Sequence, residues 1–107
     1  MSPNEATTPP KTEIRVRNGT AIDFEQVRVR FPETGEMNYG SVSSGGMSAY
    51  HATTLAFRYA PVVVKTRDGE MQFQPIDYVG EEKLAAGRYT YVLGITNGTL
   101  TVQLERD

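Results

Sequence analysis

The sequence Leu84-Ala-Ala-Gly-Arg-Tyr-Thr-Tyr-Val-Leu-Gly-Ile95 runs through Asn97-Gly98 into Leu100-Thr-Val-Gln-Leu104. This order predicts a turn, a long strand, a hairpin turn and a last strand, because Asn-Gly readily adopts the positive backbone angles of two-residue hairpins. The pattern Leu-x-x-Gly-x-Tyr is typical of the entry to a late strand in an antiparallel β-sandwich. We therefore expect the Tyr89 ring to fill one end of the core and its hydroxyl to hold the preceding loop.

Alternating apolar and polar residues upstream predict further strands. Residues 12–17 and 26–31 have an apolar residue at every second position, which is typical of half-buried strands. The β-branched run Val62-Val-Val64 favours a strand over a helix, and Asp68-Gly69 predicts a hairpin turn. Weaker strands are expected at residues 37–42 and 47–50.

These signals together predict an all-β fold, an antiparallel β-sandwich of seven or eight strands, with a closed barrel as the open alternative. The only helical candidate, residues 81–86, is one turn long at most. The polar, proline-rich residues 1–10 are expected to form a flexible tail. Residues 11–107 are expected to form one domain, monomeric by default.

Composition narrows the range of functions. The chain has 107 residues, a net charge of −2 and no cysteine. The lack of cysteine removes disulfides, thiolate metal sites and cysteine nucleophiles. No excess of lysine and arginine points to nucleic acid. No apolar run approaches the roughly 18 residues of a membrane helix, so we expect no transmembrane segment.

Six motifs carry a resemblance to a group of small bacterial envelope proteins, many of them predicted lipoproteins without an assigned activity. They are Val29-Arg-Phe31, Tyr39-Gly-Ser41, Gly46-Met-Ser-Ala-Tyr50, Phe57-Arg-Tyr-Ala60, Gln74-Pro-Ile-Asp-Tyr-Val-Gly-Glu81 and Leu84-x-x-Gly-x-Tyr-Thr-Tyr91. The resemblance implies an immunoglobulin-like sandwich held outside the cytoplasm on a flexible tether. The chain shows neither a leader nor a lipid-bearing cysteine. An extracytoplasmic location (periplasm, outer envelope or secreted) is expected if a leader was removed, and a cytoplasmic one otherwise.

Catalytic and metal-binding patterns are weak. The single histidine, His51, is expected in a surface loop, and no nucleophile-elbow sequence supports a triad with Ser43 or Ser48. Asp77, Glu81 and a neighbouring Glu82 lack the alternating ligand spacing of a calcium loop. A sandwich of this size offers little room for a pair of catalytic carboxylates across a cleft. We therefore predict a protein that is not an enzyme and holds no cofactor or metal.

Four arginines are the sharpest chemical feature. Arg15 and Arg17 occupy outward positions of the first predicted strand, and Arg28 and Arg30 occupy those of the second. If the two strands pair, the four guanidinium groups share one face that suits an acidic partner. The alternative is a solvated face on which carboxylates pair with the arginines.

Aromatic residues suggest a second possible surface. Tyr89 and Tyr91 fall in register with core positions, whereas Tyr39, Tyr50 and Tyr78 fall in predicted loops or edges and would form a platform for sugar rings. We predict a non-enzymatic extracytoplasmic module that binds a protein or envelope polysaccharide through its loops or the arginine face. The alternative is a carbohydrate-binding module that uses the three tyrosines.

Overall fold

The computed structural model describes residues 12–74 and 83–107, and these residues form two four-stranded sheets packed as a β-sandwich. The strands are β1 (Thr12–Asn18), β2 (Phe24–Phe31), β3 (Gly35–Val42), β4 (His51–Thr53), β5 (Val62–Thr66), β6 (Gly69–Phe73), β7 (Gly87–Thr96) and β8 (Thr99–Arg106). Sheet 1 has the order β4-β1-β7-β8, and sheet 2 has the order β3-β2-β5-β6. The predicted all-β sandwich is confirmed.

The pairing of β1 differs from the sequence-based expectation. β1 lies between β4 and β7 in sheet 1, and it runs parallel to β7. β2 lies between β3 and β5 in sheet 2. All other strand pairs of the described residues are antiparallel. The first two strands therefore do not pair, although they follow each other in the chain.

Local turn chemistry explains the hairpins. Asn97 (φ 53°) and Gly98 (φ 77°) form the turn between β7 and β8, as predicted. The β5–β6 turn lies one residue earlier than predicted, at residues 67–68, because Gly69 already pairs with Thr66. The Thr66 hydroxyl accepts a hydrogen bond from the backbone N–H of Asp68 and donates one to the carbonyl of Gly69, which closes this turn.

The core lies between the sheets and contains the apolar side chains of the alternating strands. The alternating pattern predicts these core residues: Val63 or Val64, Phe73, Tyr89, Tyr91, Leu93, Leu100, Val102 and Leu104. Of these, six are less than one tenth exposed: Val64, Tyr89, Tyr91, Leu93, Leu100 and Val102. Phe73 and Leu104 are partly buried against the core. Burial of each such side chain contributes roughly 1.5–3 kcal/mol to folding.

Three buried tyrosines donate hydrogen bonds from their hydroxyls to backbone carbonyls. Tyr89 donates to Ala85 at 2.8 Å, which confirms that its hydroxyl holds the loop before β7. Tyr91 donates to Phe57 at 2.6 Å. Tyr39 donates from sheet 2 to Ile14 of sheet 1 at 2.9 Å. Each ring thus adds apolar contact to the core while its polar atom stays bonded.

A buried asparagine fixes one end of the sandwich. Asn18 is fully buried, and its side-chain N–H₂ group donates to the carbonyls of Ile22 and Val42. Its side-chain oxygen accepts from the backbone N–H and the hydroxyl of Thr20. The backbone of Asn18 bonds to Gly45 and Gly46. One residue therefore ties β1 to the loops that follow β1 and β3.

We expect Tyr89→Ala to lower the free energy of unfolding by roughly 3–5 kcal/mol, because it empties a buried aromatic site. Tyr89→Phe should cost about 1 kcal/mol, the net value of its hydrogen bond to Ala85. Urea unfolding monitored by circular dichroism measures both losses. A loss below about 1 kcal/mol for Tyr89→Ala would contradict the buried position of the ring.

We expect Asn18→Ala to lower the free energy of unfolding by about 2 kcal/mol or more, because it leaves buried carbonyl and N–H groups without partners. Gln103→Ala on the exposed face of β8 is the control and should stay within about 0.5 kcal/mol of the wild type. Hydrogen exchange of residues 19–23 and 43–46 should accelerate in the Asn18 variant alone. Unchanged exchange there would show that the asparagine does not hold these loops.

Candidate functional site

The four predicted arginines lie on two faces that point away from each other. Arg15 and Arg17 are on β1 in sheet 1, and Arg28 and Arg30 are on β2 in sheet 2. The condition for a single face of four guanidinium groups, pairing of the first two strands, is therefore not met. The physical reason is that β4 and β7 already occupy both edges of β1, and the outer faces of two packed sheets are opposed.

The arginines of sheet 1 are ion-paired. Arg15 lies 3.4 Å from Asp107, and Arg17 lies 3.4 Å from Glu105. Arg88 on β7 joins this face and pairs with Glu13 at 3.2 Å. This is the arrangement that the sequence offered as the alternative to an open cationic face. With one carboxylate for each guanidinium, this face has little net charge left for an acidic partner.

Tyr50 lies within this ion-paired face, in a group that we name the Tyr50 cluster: Tyr50, Arg15, Arg88, Thr90 and Asp107. The guanidinium carbons of Arg15 and Arg88 lie over the Tyr50 ring, 4.7 and 5.1 Å from its centroid. The Tyr50 hydroxyl donates a short hydrogen bond to Asp107, and the Thr90 hydroxyl donates to the same carboxylate at 2.8 Å. The arginines therefore cover the ring that was expected to stack on a sugar.

Protonation in the Tyr50 cluster follows from these contacts. The hydrogen bond to Asp107 raises the pKa of the Tyr50 phenol. Burial acts to raise the pKa of Asp107, but hydrogen bonds from Tyr50 and Thr90 and the charge of Arg15 outweigh it and leave that pKa below its ordinary value. The cluster therefore consists of a neutral phenol and a carboxylate at neutral pH.

The other two tyrosines do not complete the predicted platform. Tyr39 lies on the edge strand β3, as predicted, but it is only 7% exposed, so its ring is not open to a sugar. Its ring packs edge-on against His51 at 4.6 Å, and burial raises the pKa of its hydroxyl far above the usual range. Tyr78 lies outside the described residues.

The residues considered for catalysis and metal binding do not form a site in the described part of the chain. His51 is half-buried on β4 rather than in a surface loop. The Ser48 hydroxyl bonds to the backbone of Val16 and Ala49. Asp77, Glu81 and Glu82 fall outside residues 12–74 and 83–107, and within those residues no group of three or more His, Asp or Glu could hold a metal ion.

The arginines of sheet 2 differ from each other. Arg28 lies 3.9 Å from Glu36 and 3.5 Å from Glu70, so two carboxylates share its charge. Arg30 is two residues further along β2 and is exposed. No acidic side chain of residues 12–74 and 83–107 forms an ion pair with it. Arg30 therefore forms no ion pair in the described part of the chain, although Glu36 is its direct neighbour across the β2–β3 pair.

Two adjoining depressions meet at Arg30, and together we name them the Arg30 groove. The apolar half measures about 250 Å³ and is lined by Phe31, Pro32, Phe57, Pro61 and Arg30. The polar half measures about 360 Å³ and is lined by Arg28, Glu36, Val63, Gln74, Pro61 and Arg30. Arg30 and Pro61 belong to both halves, so a charged and an apolar surface lie side by side.

The groove is held from below by the core. The backbone N–H of Arg30 donates to the carbonyl of Pro61 at 3.0 Å, which joins the end of β2 to the start of β5. The Tyr91 hydroxyl holds the carbonyl of Phe57, and its ring stacks on Phe31 with centroids 6.4 Å apart. The groove backbone is thereby fixed before any ligand arrives, which lowers the entropic cost of binding.

Size and chemistry indicate what the groove suits. Pockets for drug-sized molecules measure about 300–1,000 Å³. The apolar half, at about 250 Å³, is below this range and suits one or two side chains, whereas the polar half, at about 360 Å³, is at its lower end. An unpaired guanidinium binds a carboxylate through two parallel hydrogen bonds, and apolar neighbours strengthen that attraction by excluding water. The groove therefore suits a protein segment that carries both an acidic and an apolar side chain.

A larger depression of about 950 Å³ lies at the opposite end of sheet 2. Its charged lining mixes Lys65 and Arg67 with Asp23, Glu25 and Asp68, and its large apolar contribution is Ile22. Charges of both signs offset one another there. This depression therefore recognises neither sign of charge strongly.

Sequence reasoning found Arg28 and Arg30 but missed the rest of the groove. The parity that Phe57 shares with Tyr59 predicts a core position, but Phe57 is half-buried and lines the groove. The available signal was a proline beside each strand end, with Pro32 after β2 and Pro61 before β5. Proline at a strand end marks an edge or an irregular backbone, and such places form clefts.

Comparisons with known proteins support the fold alone. No protein-family model and no curated protein matches the chain. The chain is similar to an NMR structure of a protein from Eubacterium rectale, with a TM-score of 0.58 and 17% sequence identity over 92% of this chain and 91% of that chain. Within the described residues, no helix is long and apolar enough to span a membrane.

We expect the stabilising effect of Asp107 to depend on pH. The pKa of Asp107 is lowered in the folded state, so its carboxylate stabilises the fold above the unfolded value of about 3.9 and loses this effect as the pH falls through the folded-state pKa. Asp107→Asn removes the charge. Urea unfolding should show wild type more stable than the variant at neutral pH, with the difference shrinking below about pH 4. A difference that is constant with pH would rule out an ionic contribution.

Proposed function

We propose that the chain is a non-enzymatic interaction module that binds another protein outside the cytoplasm through the Arg30 groove. The observation that carries this proposal is the guanidinium of Arg30, which has no ion-pair partner among residues 12–74 and 83–107 and lies beside a pre-formed apolar surface. In contrast, Arg15, Arg17 and Arg28 are each paired with carboxylates. Arginine and aromatic side chains are the groups most enriched among residues that dominate binding energy at protein interfaces.

The location and the finer fold assignment belong to the same proposal. The hydrogen bond from Tyr89 to Ala85 supports a sandwich of immunoglobulin-like type, because a tyrosine at the start of a late strand that bonds back to the preceding loop is a hallmark of that fold. The parallel pairing of β1 and β7 is a departure from a purely antiparallel sandwich. The resemblance to bacterial envelope proteins supports an extracytoplasmic place, as a processed lipoprotein.

No specific observation favours the carbohydrate-binding alternative. Sugar-binding platforms need flat rings open to solvent, whereas Tyr39 is buried and the arginines of the Tyr50 cluster cover the Tyr50 ring. Tyr78 belongs to the part of the chain that the structure does not describe. Protein binding is therefore the better supported function.

Charge reversal at Arg30 tests the proposal. We expect Arg30→Glu to abolish co-purification of a protein partner from an envelope fraction, because it replaces the attracting charge by a repelling one. Arg67→Glu is the matched control. Arg67 is exposed at the opposite end of sheet 2, and its substitution by Glu changes the net charge by the same amount. Quantitative mass spectrometry of the captured proteins measures the difference.

The proposal predicts that at least one protein is captured by the wild type and by Arg67→Glu but is not captured by Arg30→Glu. Identical partners for all three proteins would contradict a role for the groove. Equal thermal unfolding temperatures for the two variants exclude loss of the fold as the cause.

A further inference from the structure

We infer that the Arg30 groove recognises an extended acidic peptide segment whose carboxylate pairs with Arg30 and whose proline or aromatic ring, two or three residues away, enters the apolar half. This inference rests on the proposed function and names the chemistry of the partner.

The charges of the groove admit one carboxylate, at one place. Arg30 has no ion-pair partner in residues 12–74 and 83–107, whereas Arg28 is already paired with Glu36 and Glu70. Glu36 lines the polar half, so a ligand carboxylate placed there would face a carboxylate of the protein. Like charges at short range are repelled, which directs the acidic residue of the ligand to Arg30 and leaves neutral polar groups for the side of Gln74.

The apolar half is suited to a ring. Its wall consists of two phenylalanines and two prolines, and the prolines carry no backbone N–H that would favour a polar ligand. Its volume of about 250 Å³ is below that of ordinary small-molecule pockets. Proline and aromatic side chains are the usual occupants of aromatic-lined grooves, and they bring much apolar area with few rotatable bonds.

The shared residues place the two contacts side by side. Because Arg30 and Pro61 line both halves, the carboxylate site directly adjoins the ring site. In an extended peptide, side chains on one face recur every two residues, about 6.6 Å apart. In a polyproline II helix they recur every three residues, about 9 Å apart. Either spacing places the ring next to the charge, whereas adjacent residues would point to opposite sides.

Synthetic peptides test this inference with the full-length chain. The probes are fluorescein-labelled heptapeptides in which a single Glu is followed by Pro or Phe one, two or three positions later, flanked by Gly and Ser. Fluorescence anisotropy at millimolar protein measures the affinity. We expect binding for the spacings of two and three. Replacing the Glu by Gln in the peptide, or Arg30→Gln in the protein, should weaken binding roughly 10-fold, as expected for loss of a charge-assisted hydrogen bond.

A double-mutant cycle and a matched variant make the result specific. Once Arg30 is replaced by Gln, exchange of the peptide Glu for Gln should have no further effect, because both changes remove the same interaction. Arg67→Gln should bind the peptides as the wild type does. A ring-to-Ala change in the peptide should also weaken binding, which separates recognition of the segment from recognition of any anion.

Several results would overturn the inference. The first is equal affinity for the Glu and Gln peptides. The second is a loss of peptide affinity in Arg67→Gln as large as that in Arg30→Gln. The third is displacement of the peptide by inorganic phosphate at the same concentration as the peptide. If no probe binds although Arg30→Glu still loses its captured partner, the ligand is a folded surface rather than an extended segment. In that case the inference fails and the proposed function stands. If the peptides bind but Arg30→Glu captures the same proteins as the wild type, the proposed function is overturned instead.

Discussion

The structure depends most on the placement of Tyr91, the largest fully buried side chain of the described residues. Tyr91 stands on β7 in sheet 1, and its ring stacks on Phe31 of the opposing sheet. Its hydroxyl donates to the carbonyl of Phe57 in the loop before β5. One side chain therefore joins the two sheets and also holds the loop before β5. Without Tyr91, the carbonyl of Phe57 would need another hydrogen-bond donor, such as water. Close packing and a satisfied hydrogen bond reinforce each other at this position.

This constraint connects the core to the candidate site. Phe31 and Phe57 both contact the surface groove and both are bound to Tyr91 from the inside. The position of Arg30 follows, because it precedes Phe31 on the same strand and its side chain points to the opposite face. A binding surface built on a strand and a held loop is more precise than one built on a free loop. The groove thus combines apolar walls fixed by the core with a charge fixed by the strand.

Pairing of the neighbouring charges explains why Arg30 differs from Arg15, Arg17 and Arg28. The strand registers set which charges are neighbours. The β1–β7 register sets Glu13 opposite Arg88, with which it forms an ion pair, and the β2–β3 register sets Glu36 opposite Arg30. The Glu36 carboxylate lies within ion-pair distance of Arg28 rather than of its direct neighbour. Surface pairs of this kind add little to stability, so their main effect is on the pattern of charge that a partner meets.

Sequence alone determined the local elements of this protein: the alternation that makes strands, the Asn97-Gly98 hairpin, the Tyr89 bond to its own loop and most of the buried residues. These features depend on residues a few positions apart, and their conformational preferences can be read directly from the order of residues in the sequence. Only the tertiary structure decided that β1 pairs with β7 instead of β2, which separated Arg15 and Arg17 from Arg28 and Arg30. It also decided that Tyr39 is buried and that Phe57 lines a groove. Such outcomes depend on which distant strands become neighbours, and an alternating pattern specifies that a strand has a buried face without specifying its partner.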